Sequence, residues 1–164
     1  MTDTRTPTLT GGCQCGAIRY ALYAAPERTG ICHCRMCQKA TGGPFLAWTM
    51  VRAADFAWTR GKPGVFRSSS AAERDFCAEC GTPLGFRYLK RPEWVDVTIG
   101  SLDQPGAVTP GRVMGAESRL AWCATLLPDV EPLATGSLTP PEDLSRIRNL
   151  QHPDHATPPG WLPP

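Results

Sequence analysis

The sequence predicts a mainly β domain, and three observations lead to that prediction. Short segments rich in β-branched and aromatic residues recur between glycine and proline turns from Gly11 to about Trp122. These segments follow one another without long helices between them, which is typical of an all-β arrangement. The chain has 164 residues, of which 41% are hydrophobic and 20% charged, as expected for one globular domain.

Six segments have the composition of strands. Trp94–Ile99 (WVDVTI) alternates between apolar and polar residues, as a strand with one buried face does. Gln38–Ala40 favours a single helical turn instead. The remaining predicted strands are Ala17–Tyr23, Phe45–Val51, Phe56–Thr59, Gly64–Arg67 and Leu84–Leu89.

Composition divides the chain into three parts. Residues 1–10 are polar and are expected to form a flexible arm, and residues 11–127 form the β domain. Residues 128–164 are a Pro-rich extension that holds nine of the 17 prolines. Thr139–Leu144 favours one short helix there, capped by Thr139. Beyond Asn149 the composition favours an extended or disordered segment.

Several classes of protein are disfavoured by the sequence. No run of 18 apolar residues exists, so no membrane span is expected, and the polar N-terminus lacks the apolar core of a signal peptide. We therefore expect a cytoplasmic protein whose cysteines stay reduced. The formal net charge is +2 and no basic run occurs, so no nucleic-acid partner is predicted. The oligomeric state stays open.

Four of the eight cysteines form two distant pairs, Cys13-Gln14-Cys15 and Cys77-Ala78-Glu79-Cys80. Both spacings are typical of zinc-binding turns, and four thiolates saturate a tetrahedral zinc ion. Closing the 61-residue loop between the pairs costs about 4 kcal/mol, whereas structural zinc contributes on the order of 10–16 kcal/mol. The sequence therefore predicts a structural zinc site. Unpaired packed thiols and disulfides are the alternatives.

Three further cysteines, Cys32, Cys34 and Cys37, crowd into six residues. A C-x-C turn followed by one helical turn would bring them to one ion and leave its fourth position open, as in catalytic zinc sites. The side chain of His33 is expected to point away from the metal. Cys123 is either a lone packed thiol or the fourth ligand.

Five residues near these cysteines are candidates for contact with a substrate. Arg35 and Lys39 would attract an anionic ligand, and the N–H groups of Gly42 and Gly43 could receive a carboxylate. Glu117 is a candidate acid–base group. The alternatives are solvated surface charge for the three charged residues and an ordinary turn for the two glycines.

The strings GGCQCGAIRY at 11–20, ICHCRMCQKATGGPF at 31–45 and FCAECGTPLGF at 76–86 resemble the glutathione-dependent formaldehyde-activating enzyme family, which includes the centromere protein V-type domain. The resemblance implies a tent-like fold of small β-sheets built around two zinc ions. It makes the four paired cysteines the structural ligands and the three clustered ones the second, catalytic-type set. A late segment, Gly111–Trp122, also resembles the family, although Val113 stands where relatives commonly have histidine.

The resemblance also implies a function. In the family's reaction, glutathione and formaldehyde combine to S-hydroxymethylglutathione, and the reverse is a carbon–sulfur lyase reaction. The leading hypothesis is therefore a zinc-dependent lyase-type enzyme with a small thiol such as glutathione as substrate or cosubstrate. The alternatives are a non-catalytic zinc module that mediates a protein interaction and a thiolate-based metal or redox sensor.

Overall fold

Ten strands and two helices make up the protein in a computed structural model that describes residues 4–125, 137, 140–158 and 160–161. The helices are α1 (Arg35–Thr41) and α2 (Pro141–Leu144). The strands are β1 (Leu9–Gly12), β2 (Arg19–Leu22), β3 (Arg28–Cys32), β4 (Leu46–Arg52), β5 (Phe56–Arg60), β6 (Gly64–Ser69), β7 (Ala72–Phe76), β8 (Pro83–Tyr88), β9 (Trp94–Thr98) and β10 (Val113–Met114). The predicted mainly β fold class is confirmed.

The strands form two sheets. The smaller sheet has the order β1-β2-β5, and the larger has the order β10-β3-β4-β9-β8-β7-β6. Every pairing is antiparallel except that of β10 with β3. Among the described residues, no helix has the length and apolar composition needed to cross a membrane.

The hydrophobic core joins the two sheets. Tyr20 and Leu22 of β2 belong to one cluster of buried residues with Val95 and Val97 of β9 and Leu84 of β8. On β9 the buried valines alternate with Trp94, Asp96 and Thr98, which are only half-buried. The predicted alternation of this strand therefore separates a core face from a second face of the large sheet.

The chain enters the fold earlier than its composition suggests. The arm predicted over residues 1–10 overlaps β1, which begins at Leu9 and pairs with β2 from Leu9↔Leu22 to Gly12↔Arg19. The Thr8 N–H also donates to Leu22 O at 2.7 Å. Threonine is β-branched and suits a strand. The polar composition of this segment therefore gave no indication that it pairs with β2.

The last described segment folds back onto the β domain as a strap, which we define as residues 150–158 and 160–161. The His152 N–H donates to Gln14 O at 2.7 Å, and its ring packs where a side chain at Gly16 would stand. His152 is 3% exposed and lies against Trp161, with ring centroids 4.7 Å apart. The described residues beyond Asn149 are therefore irregular, and the buried His152 with its hydrogen bonds holds them against the β domain.

A buried ion pair ties the small sheet to the chain that follows β9. Arg19 donates to Asp103 Oδ1 at 2.9 Å and also to Oδ2, and the side chains are only 8% and 6% exposed. Burial alone would raise the pKa of Asp103, but hydrogen bonds from Arg19 and Thr10 hold it below its ordinary value. The carboxylate therefore stays charged and satisfied inside the protein.

We predict that Asp103→Ala lowers the free energy of unfolding by about 3–5 kcal/mol, because it leaves the Arg19 guanidinium buried without a counter-ion. The exposed pair Arg52–Glu27, at 3.1 Å with side chains 52% and 46% exposed, supplies the control. Glu27→Ala should cost less than about 1 kcal/mol. Denaturant unfolding of the metal-loaded protein measures both, and equal losses would contradict the prediction.

Candidate functional site

Four cysteines meet where the two sheets approach each other. Cys13 and Cys15 follow β1, while Cys77 and Cys80 lie in the turn between β7 and β8. The Sγ atoms of Cys13 and Cys15 are 3.5 Å apart, those of Cys15 and Cys77 are 3.8 Å apart, and all four lie within 4.8 Å of one another. Tetrahedral zinc with Zn–S bonds of about 2.3 Å separates its sulfurs by roughly 3.8 Å. The four-cysteine cluster therefore fits zinc.

Local hydrogen bonds prepare this cluster for an ion. Ile18 N–H donates to Cys13 Sγ at 3.2 Å, and the Thr82 hydroxyl lies 3.2 Å from Cys80 Sγ. Burial raises the pKa of Cys80, but hydrogen bonds with Thr82 and Cys15 together outweigh it and lower this pKa to about 6. Gly81 has φ +77°, a left-handed conformation that glycine adopts without strain, and so closes the turn after Cys80.

The three-cysteine cluster forms at one end of the large sheet. Cys32 ends β3, Cys34 immediately precedes α1, and Cys37 lies in its first turn. Their three Sγ atoms lie within 4.8 Å of one another. Among the described residues, no further Cys, His, Asp or Glu joins this group, and Cys123 is not part of it. These residues fit a zinc ion with one coordination position left for an exogenous ligand.

The surroundings of the three-cysteine cluster differ from one sulfur to the next. Burial opposes ionisation of Cys34, but the backbone N–H groups of Cys37 and Met36 contribute to a lowered pKa. The Arg74 guanidinium donates to Cys37 Sγ at 3.4 Å. At Cys32, by contrast, burial raises the pKa of the thiol to about 12. A bound metal would have to displace that proton, as is usual for thiol ligands.

A cavity of about 540 Å³ opens beside the three-cysteine cluster and extends along the second face of the large sheet. All three clustered cysteines line it, and none of the four-cysteine set does. Its apolar walls include Trp48, Met50, Phe86 and Trp94. Its charged residues are Arg28, Arg74, Arg91, Arg112, Asp75 and Asp96.

Neither predicted basic residue of α1 reaches this cavity. Arg35 and Lys39 are exposed and absent from its lining, and Arg35 donates instead to Gln38 Oε1. Gln38 itself is buried and donates to His33 O at 2.7 Å. Arg35 and Lys39 therefore do not face the cavity. Their contact with glutathione stays a prediction, and their positions do not favour it.

The glycine turn after α1 uses its own N–H groups. Gly42, with φ +69°, caps the helix by donating to Gln38 O at 2.9 Å, and Gly43 N–H donates to Thr41 Oγ1 at 3.1 Å. Neither glycine lines the cavity. Both N–H groups are therefore already engaged in hydrogen bonds. Binding of a carboxylate by them stays a prediction.

Other residues singled out from the sequence lie around the site without entering it. Glu117 is exposed in a short 3₁₀ turn and does not line the cavity, and Cys123 lies in the next such turn. His33 is buried with its ring 5.5 Å from that of Phe45. Val113 is 55% exposed, whereas its neighbours Arg112 and Met114 line the cavity.

Arg74 and Asp96 are two of the cavity residues that no sequence pattern identified. Arg74 lies 37 residues from the cysteine that it contacts, and no motif marks it. The polar position of Asp96 in the alternating β9 segment indicated only that it avoids the core. That alternation could have placed Asp96 on the same face as Trp94, but nothing in the sequence indicated a cavity there.

Comparison with known proteins agrees with this geometry. The model of a family described as glutathione-dependent formaldehyde-activating enzyme matches residues 8–116. An uncharacterised lyase of Schizosaccharomyces pombe is 33% identical over 95 residues, which cover 57% of this chain and 69% of the relative. A putative glutathione-dependent formaldehyde-activating enzyme of Halomonas elongata is 28% identical over 123 residues, covering 70% and 78% respectively.

A solved structure supports the fold. The crystal structure of a Rhodobacter sphaeroides protein superposes with a TM-score of 0.50 and 24% sequence identity, covering 64% of this chain and 97% of that one. At this identity the likeness concerns the fold alone.

We predict that the two clusters differ in their effect on stability. Cys80→Ser should remove about one of two zinc ions per chain and several kcal/mol of stability, because the four-cysteine cluster links segments 61 residues apart. Cys34→Ser should remove a similar amount of zinc with a smaller loss, since its cluster spans six residues. Elemental analysis and denaturant unfolding under reducing conditions measure both, with Cys123→Ser as the control. Less than one zinc per wild-type chain would contradict the assignment.

We also predict that Asp96→Asn stabilises the protein at alkaline pH. Burial raises the pKa of Asp96 from 3.8 to about 6, only partly offset by Arg91. The charged form is therefore penalised in the folded state, and stability falls as pH rises from 3.8 through 6. The neutral amide should gain up to about 3 kcal/mol at pH 8 and roughly half of that at pH 5.

Thermal or denaturant unfolding of the metal-loaded protein at both pH values measures this gain. Asp154→Asn, the same change at an exposed position, is the control and should alter stability little. A pH-independent effect of Asp96→Asn would show that charge burial is not its cause.

Proposed function

The chain belongs to the glutathione-dependent formaldehyde-activating enzyme family, and we propose that it is a zinc-dependent carbon–sulfur lyase-type enzyme that binds a thiol such as glutathione at the three-cysteine cluster. One observation carries the proposal. The three-sulfur set faces a cavity of about 540 Å³, while the four-sulfur set does not line it. One cluster is thus suited to hold the fold together and the other to meet a ligand.

Cys32, Cys34 and Cys37 would hold the catalytic ion, and Cys13, Cys15, Cys77 and Cys80 the structural one. Zinc, when bound to the three-cysteine cluster, would keep a substrate thiol as thiolate near neutral pH. In the family's reaction the thiol sulfur bonds to the carbonyl carbon of formaldehyde and the thiol proton ends on the carbonyl oxygen. The reverse reaction breaks that carbon–sulfur bond and returns the proton to sulfur.

The chain's own residues would assist in two ways. Arg74 donates to Cys37 Sγ, which offsets part of the negative charge of three thiolates. The apolar walls formed by Trp48 and Phe86 would displace water from the reacting atoms, and this strengthens electrostatic interactions there.

Val113 does not weaken the proposal. Arg112 and Met114 line the cavity, and Val113 between them does not. In a strand, alternate side chains point to opposite sides. A histidine at this position would therefore lie away from the cavity, so its replacement by valine removes no group from the proposed thiol site.

A protein-binding role is the second candidate, and the cavity mouth favours it. Met36, Phe66 and Met114 line the cavity and are 56%, 60% and 50% exposed. An apolar rim of this kind is typical of interaction sites as well as substrate sites. In that case an apolar segment of a partner would occupy the cavity, and glutathione would not bind.

We predict that Cys34→Ser weakens glutathione binding at least tenfold, because it removes one of three ligands that hold the thiol-binding ion. Isothermal titration of glutathione into the zinc-loaded wild type and variant measures this. Cys123→Ser, which changes a cysteine outside both clusters, should bind as the wild type does. Equal affinity of the wild type and Cys34→Ser would contradict the proposal.

A further inference from the structure

Six side chains form a continuous row across the large sheet on its cavity face. They are paired directly in register from β3 to β6, and all of them line the cavity. We call this set the central row, and its order is Arg28, Met50, Asp96, Phe86, Arg74 and Phe66. Asp96 is its one carboxylate, with an apolar neighbour on each side and an arginine beyond each neighbour.

Asp96 has no partner within the described part of the chain. Its Oδ1 is inaccessible to solvent and makes no hydrogen bond, and no cation lies within ion-pair distance of the carboxylate. Arg91 acts on it only through longer-range attraction. An unpaired, partly buried carboxylate is costly to the fold, and such groups in cavities are candidates for ligand contacts.

The charges around Asp96 indicate what ligand would suit it. Arg28, Arg91 and Arg112 line the cavity and make no ion pair with the described residues. Such guanidinium groups recognise carboxylates. Of the two aspartates that line the cavity, Asp75 is paired with Arg87 at 2.7 Å, whereas the unpaired Asp96 calls for a cation. The site as a whole therefore complements a molecule that carries carboxylates and a protonated amine.

The spacing between Asp96 and Arg74, the residue that contacts the three-cysteine cluster, suits such a molecule. Asp96 lies on β9, two strands from Arg74 on β7, which contacts Cys37. Neighbouring strands are about 4.8 Å apart, so roughly 10 Å separates the two positions. An extended chain spans about 3.3–3.6 Å per residue, so a small peptide could place its thiol at the cluster and its amine at Asp96.

We infer that Asp96 determines substrate specificity by forming an ion pair with the free amino group of the thiol substrate. The site then takes amino-acid-like or peptide thiols and discriminates against thiols whose amine is absent or acylated. The inference rests on the proposed binding of a thiol at the three-cysteine cluster, and it assigns to Asp96 a role in selection rather than in bond making.

The test compares glutathione with N-acetylglutathione, which differs only in its blocked amine, by titration into the zinc-loaded protein. Wild type should bind glutathione at least tenfold more tightly. Asp96→Asn, a change of similar size, should reduce this preference to within about threefold, while Asp154→Asn should keep it. Equal binding of both thiols by the wild type, or a preference retained in Asp96→Asn, would overturn the inference.

A second measurement needs no substitution. Because burial raises the pKa of Asp96 to about 6, the preference should decline in the wild type between pH 7.5 and 5.5. Over this range the α-amino group stays largely protonated. The other polar groups on this side of β9 or in the same cavity are Arg52 on β4, Tyr88 on β8, Asp75 on β7, Arg91 before β9 and Arg112, together with Arg28 and Arg74 in the central row. Arginine keeps its charge throughout, and Asp75 is already paired with Arg87 at 2.7 Å. A preference that is constant with pH would count against Asp96.

The two proposals fail in different ways. If Cys34→Ser binds glutathione as the wild type does but Asp96→Asn loses the amine preference, the thiol site is wrong and the amine contact is supported. If Cys34→Ser weakens binding and the preference survives in Asp96→Asn, the thiol site is supported and the amine contact is wrong. Absence of glutathione binding to the wild type overturns both.

Discussion

The rest of the structure depends on the meeting of four sulfurs between two sheets. Cys13 and Cys15 come from the turn that leaves β1 of the small sheet, and Cys77 and Cys80 from the turn between β7 and β8 of the large one. The buried cluster that joins the two sheets includes two of these cysteines, Cys13 and Cys77, so the link lies within the packing that holds the sheets together.

The large sheet performs two tasks because its faces differ. On β9, Val95 and Val97 enter the core, while Trp94, Asp96 and Thr98 face the cavity. One face of this strand is therefore packed in the core, while the other presents apolar, acidic and hydroxyl side chains to the cavity. Arg74 extends this arrangement to the three-cysteine cluster, since it donates to Cys37 and lies over the Phe86 ring at 5.1 Å. The sheet therefore holds the cavity residues at fixed spacings from the cluster.

Local patterns foretold much of this structure, and long-range register explains the remainder. The C-x-C and C-x-x-C spacings indicated the ligands of both cysteine groups, because each spacing lies within one turn of the chain. The strands β3 and β7 were missed, since charged residues such as Arg28 and Glu73 obscure their alternation. Proximity in sequence also misled: Arg35 follows a clustered cysteine yet faces solvent, whereas Arg74 reaches the cluster from a distant strand. The spacing of residues along the sequence does not show which side chains come into contact across the five strands from β3 to β7.

The strap has a consequence for how the molecule is assembled during synthesis. His152 donates to Gln14 and fills the space above Gly16, so the turn that follows β1 is completed by a residue 138 positions later in the chain (152 − 14). The turn at Gly16, between β1 and β2, therefore stays partly uncovered until the strap has been synthesised and has packed against it. Removal of the strap would therefore uncover the turn at Gly16, which directly follows Cys15.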